Sequence, residues 1–211
     1  MRRPSFRTTL VTTTAALVLC GVAGAAAEAQ TDLRSTFPGR RVGGGTRGEC
    51  SARTLVHLVP ESSVYAPGTA GTLGVVQGPT ANPVSLKLSF KPEDGGAEST
   101  RTLAAAPASL TLISSAGPTG PTVWESSFNC ETGGGGDSLD PLAFVQSSSP
   151  PALSLLVADA EASDQPVQAA LKSLRAQCGS SVSAKDTLAQ FGLADLVTDE
   201  WPAQLPVRCP A

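Results

Sequence analysis

Three stretches of the chain hold residue types able to do chemistry. His57 is the single histidine among 211 residues, so it is the one candidate general base of the usual kind. It lies in "TLVHLV", where alternation puts it on the strand face shared by Leu55 and Val59. That company points to a packed imidazole rather than a catalytic one. No G-x-S-x-G elbow supplies a nucleophile, and one histidine cannot build a transition-metal site alone.

The second stretch is "RVGGGTRGEC", residues 41–50. Gly43 and Gly48 have the separation of the glycines in G-x-x-x-x-G-K-[ST], where backbone N–H groups wrap phosphates, a lysine adds charge and a hydroxyl holds magnesium. Glu49 and Cys50 occupy the lysine and hydroxyl places, and a carboxylate there repels phosphate. A looser anion nest, built from Arg40, Arg41, Gly43, Gly44, Gly45 and Arg47, is the binding candidate that survives. The plainer alternative is a turn that delivers Cys50 to a sheet. The third stretch, "ETGGGGDSLD", matches the calcium-binding G-G-x-G-x-D-x-U repeat from Thr132 onward, with Asp137 and Leu139 in place. Such repeats bind calcium by stacking, and there is one copy, so a glycine-rich hairpin loop is the better reading. No catalytic residue, metal or cofactor is expected.

The ends and the cysteines set the compartment. Arg2, Arg3 and Arg7 precede an apolar run that closes on Ala27-Glu28-Ala29, the pattern of a signal peptide cleaved after Ala29. A membrane anchor would need about 20 strongly apolar residues, and the threonines and alanines here do not provide them. A lipoprotein signal would need a small residue before Cys20, where Leu19 stands. The whole chain carries 15 basic and 18 acidic side chains; losing three arginines and Glu28 with the signal leaves 12 and 17, a net charge of −5. Nucleic acid is therefore not an expected partner. Cys50, Cys130, Cys178 and Cys209 remain, an even count that implies two disulfides in an exported chain. None lies in a C-x-x-C pair. The placement of the cysteines predicts links from Cys50 to Cys130 and from Cys178 to Cys209.

The elements that must position these residues are mostly short strands. "VSLKLSFK" is the clearest: Val84, Leu86, Leu88 and Phe90 alternate with Ser85, Lys87, Ser89 and Lys91, one face buried and the other wet. Further strands are predicted at 54–59, 73–77, 99–104, 109–114, 122–130 and 141–146, separated by turn-rich "APGTAG", "KPEDGG", "AGPTGP" and "ETGGGGD". That spacing predicts an antiparallel, Ig-like sandwich; a parallel sheet would need crossover helices for which there is no room. After "SSSPP" the pattern becomes helical. Residues 151–160 are dense enough in apolar residues for either a short helix or a strand, and the helix is the preferred reading. "SDQPVQAALKSLRAQCG" is a firmer one, with Val167, Ala170, Leu171, Leu174 and Cys178 on one face, Ser163 or Asp164 at its start and Gly179 at its end. A third begins at Ser183, with Asp186 near capping-box spacing, and stops at Gly192. The expected class is α+β: signal peptide 1–29, flexible Gly/Arg-rich arm 30–49, β-sandwich 50–148, and a helical unit with a Cys-anchored tail 149–211.

In that order, "GGGTRGEC", "LVHLVPESS", "VWESSFNCE" and "DTLAQFGLADLV" resemble the landmarks of an exported cyanobacterial family, the domain of unknown function numbered nine hundred twenty-eight. Where relatives carry an aromatic-rich strand after "LVPE", this chain has "GTLGVVQG". The resemblance implies an envelope location and no particular activity. Together these readings predict a periplasmic or extracellular protein that binds an envelope protein or an anionic polysaccharide, without a membrane anchor after cleavage. A hydrolase using a serine with a lysine or carboxylate base is the alternative.

Overall fold

The computed structural model describes residues 33–44, 53–69, 71–129 and 150–210. The expected signal peptide, the strand at 141–146, the glycine-rich loop at 131–139, Gly45, Arg47, Cys50 and Cys130 lie outside them. The described chain is α+β, mostly strand, arranged in two mixed sheets.

Sheet I has the order β1 (Val42–Gly43), β2 (Leu55–His57), β4 (Gly71–Gln77), β7 (Ser109–Ser115), β11 (Gln204–Arg208) and β10 (Ser181–Ser183). Sheet II has the order β3 (Val64–Tyr65), β9 (Ala152–Leu156), β8 (Thr122–Phe128), β5 (Leu86–Pro92) and β6 (Ser99–Leu103). The alternation in "LKLSFK" does what it predicts: Leu86 and Leu88 are fully buried while Lys87 is exposed. Most pairs are antiparallel, but β3 runs parallel to β9 and β11 parallel to β7. The expectation of no parallel pairing fails because these partners are distant in sequence. The strands and helices between the partners carry the connection, so no short crossover unit is required.

Within 151–160 the chain forms strand β9 (Ala152–Leu156), the alternative to the preferred helix. Its neighbours explain why. Val64 and Tyr65 flank it on one side and Thr122 to Ser126 on the other. Every residue from Ser154 to Leu156 is buried, so the segment lacks the polar face an amphipathic helix would show. The two later helices do form. Helix α1 (Asp164–Arg175) buries Val167, Leu171 and Leu174, the i, i+4, i+7 stripe its sequence shows. Helix α2 (Ala184–Ala189) is capped by Ser183, whose Oγ accepts the amide of Asp186 at 3.3 Å, and the chain leaves it through Gly192 at φ +67°.

These helices cover one face of sheet I. His57 pairs with Val75 in register and both point toward sheet II, so Gly74 points outward. A Cβ on Gly74 would come within 2.7 Å of Leu171 Cδ2, which is how closely α1 lies on the strand. Residues 150–210 thus supply strands to both sheets as well as the helices, and one core cluster draws Leu55, Trp124, Leu156, Leu171, Leu188 and Trp201 together.

Cys178, just past α1, is disulfide-bonded to Cys209, just past β11, across a sequence separation of 31. The chain-entropy relation gives about 3.7 kcal/mol for a loop of that size, an upper value because native strain subtracts from it. Replacing both cysteines with serine is expected to cost about 2–4 kcal/mol in thermal unfolding. A loss below about 0.5 kcal/mol would mean that the clamp does not constrain the unfolded chain.

Candidate functional site

The segment expected to be a flexible arm is laid into the fold wherever it is described. Leu33 and Phe37 pack on Val64, Ala66, Leu155 and Val157. Arg40 exchanges backbone hydrogen bonds with Leu153 of sheet II, and β1 then pairs with β2 of sheet I. The segment therefore bridges the two sheets. The reason is apolar anchoring by Leu33, Phe37 and Val42 together with charge anchoring by Arg34, whose guanidinium meets the buried carboxylate of Asp164 at 2.8 Å.

This placement engages some of the groups expected to form an anion nest, whose Gly45 and Arg47 lie outside the described residues. The Arg41 guanidinium donates to the carbonyls of Val59 (3.2 Å) and Phe191 (2.8 Å), and the Gly44 amide donates to the Pro150 carbonyl at 2.9 Å. Gly43 and Gly44 are glycine for packing reasons. A Cβ on Gly43 would lie 2.4 Å from the Ala152 amide nitrogen, and Gly44, at φ +95°, would place one 1.8 Å from the Arg53 carbonyl. Among the described members of the nest, then, Nη1 of Arg41 and the Gly44 amide already have carbonyl partners within the chain.

His57 is fully buried between the sheets. Its Nδ1 lies 2.8 Å from Ser154 Oγ and its Nε2 2.7 Å from Ser126 Oγ, and its ring stacks on Trp124 with centroids 3.6 Å apart and planes 7° apart. Desolvation pushes the imidazole well below its ordinary pKa. A neutral imidazole offers one donor and one acceptor, so one serine donates to it and the other accepts from it. This is a polar staple between β2, β8 and β9, closed to substrate, and the packed reading of the sequence describes it.

What the sequence did not single out is the outer face of sheet II. The residues of β5 and β8 that alternate away from the core line an open depression of about 290 Å³: Lys87, Ser89, Lys91, Val123, Glu125 and Ser127, joined at the rim by Glu98. Cross-strand register sets Lys87 opposite Ser127 and Ser89 opposite Glu125. Two lysines four residues apart on one strand stand roughly 13 Å apart. Among the described residues, the ion pairs within 4.0 Å join Arg34 to Glu161 and Asp164, and none involves these four charges. The signal was present in "VSLKLSFK" and "VWESSF" as a wet face, but a wet face by itself is ordinary solvated surface. Only the pairing of the two strands turns it into a shared depression.

Among the described residues no group of three or more His, Cys, Asp or Glu could hold a metal ion, and no helix is long and apolar enough to cross a membrane. Fold and site thus define an α+β protein of two mixed sheets, helix-covered on one side and carrying an open, charged depression on the other. No family model, curated protein or solved structure matches the chain.

Proposed function

We propose that the chain is an exported, non-enzymatic binding module of the cell envelope, periplasmic or extracellular, related to the exported cyanobacterial family its motifs resemble. An Ig-like sandwich is part of this reading, supported by the way His57 of sheet I reaches Ser126 and Ser154 of sheet II across one core. The observation that carries the function is the depression on sheet II, where four charged side chains, none of them in an ion pair among the described residues, share one open face. Such a surface offers donors and acceptors of both charge signs to a polar ligand.

The hydrolase alternative has less support, although serine, lysine and glutamate do share this depression. No hydrogen bond joins Ser89 or Ser127 to Lys87 or Lys91 among the described residues, and both lysines are exposed. A lysine base needs desolvation. The strand amides beside the serines belong to the β5–β8 ladder, which supplies no free pair of N–H donors for an oxyanion.

Titration of isotope-labelled protein with a soluble peptidoglycan digest, and separately with an anionic envelope polysaccharide, tests the binding reading by NMR. Amide shifts in at least one titration are expected to cluster on β5 and β8 and to vanish in Lys87→Glu/Lys91→Glu. Shifts confined to other elements, or none in either titration, would overturn it.

A further inference from the structure

The same depression also carries a reading of what it takes, and this reading rests on the proposed binding role. The formal charges of the lining cancel: Lys87 and Lys91 against Glu98 and Glu125. A polyanion such as an acidic polysaccharide meets as much repulsion there as attraction. Neutral sugars are commonly held by stacking on aromatic rings, and Val123 is the one apolar side chain lining this depression, which has no aromatic residue. What remains is a ligand bearing both signs.

The register sets the spacing of the positions that carry those charges. Glu125 faces Ser89 directly and is therefore diagonal to Lys87 and Lys91. Glu98, one step past the Phe90–Ser99 pair, stands opposite Lys91 on the other side. Directly opposed side chains have Cβ atoms about 5 Å apart and diagonal ones about 7–8 Å. Because these side chains are long and lie at positions about 5–8 Å apart, a ligand whose ammonium and carboxylate have a similar separation can meet a glutamate and a lysine of this face together. The termini of an extended dipeptide, about 6 Å apart, satisfy that spacing. The volume, about 290 Å³, lies at the small end of ligand sites and suits a dipeptide better than a long chain. Ser89 and Ser127 add hydroxyls that can donate to or accept from a peptide group between the two charges.

We infer that the outer face of sheet II binds short zwitterionic peptides, with the carboxylate on Lys91 or Lys87 and the amine on Glu98 or Glu125. NMR titration of the full chain with three probes tests this: L-alanyl-L-alanine, its N-acetyl derivative (anion only) and its C-terminal amide (cation only). The free dipeptide is expected to bind at β5 and β8, with each blocked form weaker by about fivefold, the worth of one exposed ion pair. Lys91→Glu is expected to lose a similar factor for the free dipeptide. Lys91→Glu combined with Glu98→Lys keeps one charge of each sign on opposed positions and is expected to restore binding, a recovery that a general loss of fold would not show. Equal binding of all three probes, or no rescue by the double reversal, would overturn the ligand class. If the dipeptide fails while a polysaccharide still shifts β5 and β8, the peptide assignment falls and the binding face stands; silence from every probe removes both.

Discussion

His57→Ala is expected to lower stability by about 3–5 kcal/mol, the range of large buried truncations that also strand polar partners. The variant removes a ring stacked on Trp124 and leaves the hydroxyls of Ser126 and Ser154, both fully buried, without the nitrogens that satisfied them. For a chain of this size that corresponds to a fall of roughly 6–20 °C in melting temperature. The cost lies mainly in the stranded hydroxyls, so His57→Leu with Ser126→Ala and Ser154→Ala should recover part of the loss, because removing both sides of a hydrogen bond costs less than removing one. A single variant that melts within about 2 °C of the parent, or a triple variant worse than the single one, would refute the staple.

The same residue makes stability depend on pH with a definite sign. Burial lowers the folded pKa of the imidazole, whereas the unfolded chain protonates it near the ordinary value of about 6.5. Below that value the unfolded state binds a proton that the folded state does not. The contribution of His57 is therefore complete above about pH 6.5 and is lost as pH falls toward the folded pKa, at up to about 1.4 kcal/mol per pH unit. This part of the acid slope should be missing in His57→Gln.

How much of this was legible in the sequence depended on where each residue's partner lay. Strands β4 to β8 and helices α1 and α2 were readable because their signals are local: alternation in "LKLSFK", a 3.6-residue stripe from Val167 to Leu174, a cap at Ser183 and a glycine stop at Gly192. Strand β9 was not, because a segment buried on both faces has no period to separate it from a helix. Strand β11 hides its alternation of Leu205 and Val207 behind Pro206, which argues against a strand in any local reading. The depression on sheet II was half legible: the wet face of β5 could be seen, but its pairing with Glu125 and Ser127 could not. The arginines near the N-terminus misled for the same reason. Arg34 falls in the segment read as a flexible Gly/Arg-rich arm, yet its partner lies 130 residues further along the chain.

That partner, Asp164, is the second place where one substitution should have a large effect. Its carboxylate is completely buried and gathers donors from three segments: Arg34 at 2.8 and 3.4 Å, the Ala66 amide at 3.2 Å and the Glu161 amide at 2.8 Å. Together with burial it raises the Tyr65 phenol pKa far above the usual range, which places a second buried polar group within its field. Asp164→Ala leaves a guanidinium that is itself only 8% exposed, facing Glu161, which is 45% exposed, and the Asp159 carbonyl, and it orphans two amides. Removing one partner of a buried pair costs about 3–5 kcal/mol. Because Arg34 ties residues 33–44 to the start of α1, the loss should also appear locally, as faster hydrogen exchange at Phe37, Gly39 and Arg40 before global unfolding. A double-mutant cycle with Arg34→Met separates the two effects. If the pair holds the segment, Arg34→Met should suppress much of the cost of Asp164→Ala, because the uncompensated buried cation is then gone. Strictly additive losses, or unchanged exchange at those three amides, would show that Leu33 and Phe37 hold the segment without the ion pair.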